Sequence, residues 1–129
     1  MSRISTPFSL MPLIGRALAR SKMDTRKGIV WSSITQDDLL ATRRAPADMP
    51  DVLKRIKKEF PRARACILLW QNTDTKKISA YVAADASLLA LLRQRTNGGF
   101  KDTHTELTEL YDSFPDAERA VLTLLETVL

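Results

Sequence analysis

The chain has 129 residues, 44% of them hydrophobic, which suits one globular domain with one core. A single cysteine excludes any disulfide within the chain, and no apolar run reaches the roughly 18 to 20 residues that cross a bilayer. Twenty Lys and Arg against fifteen Asp and Glu leave a net charge of +5, a bias toward anionic partners that names none of them. Cys66 lies inside the apolar run "ACILLW". A buried thiol is therefore expected, and with it a reducing, cytoplasmic setting and no membrane partner.

Taken in chain order, the first periodic segment is "FSLMPLIGRALARSKM", in which Leu10, Leu13, Ile14, Ala17 and Leu18 follow the spacing of an amphipathic helix. It predicts a helix over about 9–22, capped by Ser9, with Pro12 in the first turn. Residues 1–24 form a basic N-terminal helix that packs on, or leads into, a domain over 25–129; the alternative is an organelle-targeting segment. "GIVWSS" reads as a short strand. "TQDDLL" offers Thr35 as a cap with Asp38 three positions on, so a short helix follows to about Arg43. Asp37 and Asp38 suit the first turn of that helix better than a metal pair.

From Ala47 to Phe60, Met49, Val52, Leu53, Ile56 and Phe60 keep helical spacing, with Lys54, Arg55, Lys57 and Lys58 on the other side. "ARACILLWQ" is apolar without a break, as in a strand buried on both faces, and "ISAYVA" is its hairpin partner across Asn72 to Lys77. "DASLLALLRQR" predicts a helix capped by Asp85 and ending near Arg95, before Asn97-Gly98-Gly99. "THTELTELY" fits helix and strand equally well. "SFPDAERAVLTLLETVL" predicts a last helix, with Ser113 at its start and Ala117, Val121, Leu124, Leu125 and Val128 in one stripe. The order implies a single α/β (α+β) domain. Its sheet is mixed, three- to five-stranded, contains an antiparallel hairpin, and is covered by helices.

Together "LMPLIGRALAR", "GIVWSSITQDDL", "ARACILLWQNTDTKKISAYVAADASLLALL", "NGGF" and "SFPDAERAVLTLLE" resemble the C-terminal, substrate-binding domain of DHH-superfamily phosphoesterases. The similarity is to the oligoribonuclease and pAp-phosphatase branch and covers residues 8–127. It implies that the family's G-G-G-H loop, which contacts phosphate and nucleotide, falls on Asn97, Gly98, Gly99 and Phe100. The family histidine is then replaced by Phe100. The family's V-S-x-R-S falls on Ile78 to Val82, so its phosphate-binding arginine becomes Tyr81. His104, four residues past the glycine-rich stretch, is expected to be a solvent-facing loop residue that reaches the site only if the loop folds back. The structural alternative for the glycines is a helix C-cap that binds nothing.

The catalytic half of that family holds a two-metal centre of aspartates and histidines, and this chain, with one histidine, has no such set. No nucleophile elbow or P-loop is present either. The chain alone is expected not to be an enzyme and to need no cofactor, with manganese or magnesium belonging to a separate catalytic domain. What the resemblance implies is a nucleotide or short single-stranded nucleic acid held by Asn97, Gly98, Gly99 and Phe100. Arg93, Arg95 and Lys101 would lie near the phosphates, Tyr81 or Phe100 could stack on a base, and His104 would stand in for the family histidine only if the loop folds back. Two alternatives stand beside it: a decayed site kept as a protein-docking or regulatory surface, and the substrate-binding half of a phosphoesterase whose catalytic domain is elsewhere.

Overall fold

The computed structural model describes residues 6–95, 99–100 and 104–129. In chain order they form α1 (Thr6–Ala19), β1 (Lys22–Asp24), β2 (Ile29–Ile34), α2 (Gln36–Thr42), a 3-10 turn (Pro46–Asp48) and α3 (Met49–Glu59). There follow β3 (Ala65–Gln71), β4 (Ile78–Ala84), α4 (Ala86–Arg95), β5 (Gly99–Phe100), β6 (His104–Tyr111) and α5 (Phe114–Glu126). The strands make one open sheet in the order β1-β2-β3-β4-β6-β5. Only β2 and β3 are parallel, a pairing that needs the long helical connection through α2 and α3; the remaining neighbours are antiparallel.

The α/β class and the β3–β4 hairpin are as expected, and the sheet gains the two short strands β1 and β5. β1 exists because of the turn beside it. Asp24 Oδ1 accepts the N–H groups of Arg26 and Lys27, and Gly28, at φ +71°, closes the turn by donating to the Asp24 carbonyl at 2.8 Å. A side chain at Gly28 would also press on Arg64 Cγ, 3.1 Å from where its Cβ would sit.

Helix α1 begins at Thr6, earlier than Ser9, because Pro7 rather than Pro12 occupies the first turn. Pro12 therefore sits in the helix interior, at the cost of one helical hydrogen bond. The undecided stretch 104–111 is strand: β6 lies between β4 and β5, where its alternating residues serve both faces. A register shift opposite Ile78 to Ala80 takes up its extra length.

Two cores result, one on each face. Helices α1 and α3 cover the first with Leu13, Ile14, Ala17, Met49, Val52, Leu53 and Ile56 against Val30, Ile34, Cys66 and Leu68. Helices α4 and α5 cover the second with Leu88, Leu92, Ala117, Val121 and Leu125 against Ile67, Leu69, Ala80, Val82 and Leu107. Strand β3 alternates between the two, which is why it reads as a continuous apolar run. The basic side of α3 faces away from the core, as its spacing predicts.

Candidate functional site

The sheet register gathers several polar and aromatic residues on the α1–α3 side. One row across the strands runs Leu68, Tyr81, Glu106, Gly99; the next runs Cys66, Ala83, His104. Leu68 and Cys66 are fully buried, Tyr81 and His104 half-buried, and Glu106 exposed. The helical cover thus thins from β3 toward β6, and this end of the face is open.

On it, Tyr81 contacts two other rings. Trp70 lies nearly parallel to it at 6.1 Å between centroids and 13°, and His104 meets it edge-on at 5.8 Å and 73°. Burial raises the pKa of the Tyr81 hydroxyl, and the charge and hydrogen-bonding carboxylate of Glu106 raise it further. Tyr81 therefore stays protonated and neutral at physiological pH. Trp70 is 5% exposed, and its Nε1 is the one buried side-chain polar atom without a partner among the described residues.

Beside the rings, a cleft of about 260 Å³ separates α3 from the β4–β6 edge and is lined by Pro50, Leu53, Lys54, Lys57, Ala83 and His104. Lys57 Nζ donates to the carbonyl of Ala63 at 3.2 Å, which fixes it at the end of α3. Burial pushes the Cys66 thiol up to about 11, with the Lys57 charge opposing the shift, so Cys66 is no nucleophile.

A second polar cluster lies on the same side of the molecule, under α1 and α2. Asp38, 1% exposed, accepts from Arg16 at 2.9 Å and from both terminal nitrogens of Arg20. It also accepts from the Thr35 N–H at 2.7 Å and the Thr35 hydroxyl at 2.9 Å, while its own N–H returns to Thr35. Burial alone would raise the Asp38 pKa, but the hydrogen bonds from Arg20, Thr35 and Arg16 outweigh it and hold the carboxyl well below the usual carboxylate range. These donors occupy the carboxylate's lone pairs, so Asp38 has none to offer a metal. Nor is there any group of three or more potential ligands among the described residues.

The residues expected at the site separate in space. Tyr81 and His104 meet, and Gly99 joins their row through its pairing with Glu106. His104 is not a loop residue: it opens β6, paired with Ala83, and the strand itself carries it to Tyr81 with no folding back. Gly99 and Phe100 pair with β6 as a strand. Arg93 is exposed on α4, which packs on the other face of the sheet, and Arg95 ends that helix. Asn97, Gly98 and Lys101 lie outside the described residues. Glu106 and the α3 lysines were absent from the expected set, because only tertiary pairing brings them to Tyr81 and His104.

This architecture, an open mixed sheet with helices on both faces, is the fold of a module found within phosphoesterase-related proteins. An exopolyphosphatase-related protein from Bacteroides fragilis matches 92% of this chain at 17% identity and a TM-score of 0.74. A pGpG-specific phosphodiesterase from Vibrio cholerae matches 95% at 12% identity and a TM-score of 0.59. The chain spans 34% and 39% of those two proteins, little more than a third of their length. No family model matches it, and no curated protein does.

Proposed function

We propose that this chain is a non-catalytic binding module, related to the substrate-binding domain of DHH phosphoesterases, that holds a nucleotide or short single strand on its Tyr81–His104 face. The observation that carries the reading is the meeting of Tyr81 with His104 on the open part of the sheet, in one row with Gly99. A tyrosine ring fixed by two neighbours is a preorganised platform, and a base stacked on it gains roughly 1 to 3 kcal/mol. Gly99, lacking a side chain, permits close approach of a ligand to the strand edge. Any catalysis, and any manganese or magnesium, belongs to a separate domain, in keeping with a chain that spans a third of its structural neighbours.

A second reading is favoured by one residue. Glu106 sits between Tyr81 and Gly99 in the sheet register, which sets a carboxylate where an anion would approach. This is what a decayed site, kept as a protein-docking surface, would contain. Titration of a short unphosphorylated single strand at low salt separates the two. Binding that falls roughly tenfold in Tyr81→Ala supports the module. Absence of binding by the parent protein leaves the docking surface.

A further inference from the structure

The resemblance places the phosphate contacts on the glycine-rich stretch and on a strand arginine, yet here the arginine position is Tyr81, paired across the strands with Glu106. Positive charge reaches the aromatic face from another element. Pro50, Leu53, Lys54 and Lys57 lie on one side of α3, since residues three and four apart on a helix are neighbours. That side forms one wall of the 260 Å³ cleft whose other wall is Ala83 and His104. Among the described residues lining the cleft, none is acidic. Glu106, two positions beyond His104 on the same strand face, is about 7 Å further along β6.

We propose that this cleft is an anion site in which Lys54 and Lys57 hold a terminal phosphate monoester, while the attached nucleoside lies toward Tyr81. The proposal rests on the nucleotide-binding reading of the Tyr81–His104 face and adds where the charged end goes. The Lys57 ammonium is positioned by the Pro61 and Ala63 carbonyls and keeps one proton to donate. Lys54, exposed, has no hydrogen bond or ion pair among the described residues, so its charge is available to a ligand. Leu53, Pro50 and Ala83 supply an apolar floor, which weakens hydration of the bound group and strengthens its attraction to the two ammoniums. The volume is below the roughly 300 to 1,000 Å³ of whole-ligand pockets, which suits a phosphate and its sugar but not an entire dinucleotide.

The test compares one short single strand with and without a terminal phosphate monoester, on the parent protein, Lys54→Glu, Lys54→Arg and Tyr81→Ala, at low salt. The phosphate should tighten binding to the parent roughly tenfold, as a charge-assisted contact does. Lys54→Glu should erase that gain and Lys54→Arg should keep it, whereas Tyr81→Ala should weaken both strands alike. Lys57→Ala should also reduce the gain, but it removes a contact at the end of α3, so its thermal unfolding is measured alongside. A phosphate that adds nothing, or that adds as much in Lys54→Glu, overturns the anion site while leaving the Tyr81 platform standing. Failure of the parent to bind either strand overturns both.

Discussion

The two halves of one sheet face treat polar residues in opposite ways. Under α1 and α2, Arg16, Arg20 and Thr35 saturate the Asp38 carboxylate with hydrogen bonds, so this acid serves the scaffold and one net positive charge remains. At the β4–β6 end, Tyr81, His104, Glu106 and the α3 lysines stand at an open surface with their aromatic and charged groups within reach. The difference sorts the sequence words by physical task. "GRALAR" and "ITQDDL", 22 residues apart from Arg16 to Asp38, are joined by an ion cluster around the buried Asp38 carboxylate that fixes α1 to α2. They belong to the scaffold. Tyr81, where the resemblance would place an arginine, falls at the open end of the sheet.

The comparison breaks most readily at Asp38. Asp38→Ala leaves two guanidiniums and the Thr35 N–H without their acceptor, and the expected loss is about 3 kcal/mol in urea unfolding, tempered by the 45% and 39% exposure of the two arginines. Ligand affinity per folded molecule should be unchanged. A loss within about 0.5 kcal/mol would remove the cluster from the scaffold.

Acid sharpens the same point. The folded-state pKa of Asp38 lies below its ordinary 3.8, so its contribution to stability is present above that value and is lost as pH falls through the depressed one. Stability should therefore decline steeply below about pH 4, and Asp38→Asn should flatten that decline. An unchanged acid limb would contradict the assignment.

Smaller effects are expected at the open end. Tyr81→Ala should cost about 1 kcal/mol through lost contact with Trp70, and Lys54→Glu should stay within about 0.5 kcal/mol. Cys66, buried under the covered half, should react with thiol reagents only as fast as the protein unfolds. Labelling at the rate of a free thiol would place Cys66 at the surface.

Legibility in the sequence followed the range of the interactions. Thr35, Asp85 and Ser113 cap α2, α4 and α5 as their spacing with the following residues predicts, because a cap is decided within three positions. The hairpin across Asn72 to Lys77 was legible for the same reason: the Asn72 side chain accepts from the Asp74 and Thr75 N–H groups and shapes its own turn. The three residues of β1 carry no periodic signal, since their strand character comes from pairing with β2. For 104–111, two periodicities competed, and position between β4 and β5 decided.

The site was less legible than the fold. His104 and Tyr81 are 23 positions apart, and the register Ala83–His104 that unites them is set by the whole sheet. Lys54 and Lys57 looked like one solvated helix face because nothing local reveals the cleft opposite. The Arg16–Asp38 contact was hidden for the same reason, although both residues stood in words already noticed.

The most direct test is residue-resolved NMR of the whole chain during titration with a short single strand carrying a terminal phosphate monoester. Perturbations concentrated at Tyr81, His104, Lys54 and Lys57, with Arg16, Arg20 and Asp38 unmoved, are the predicted result. Perturbations centred on the Arg16–Arg20 side, or none at low salt, would contradict the division of this face into scaffold and binding surface.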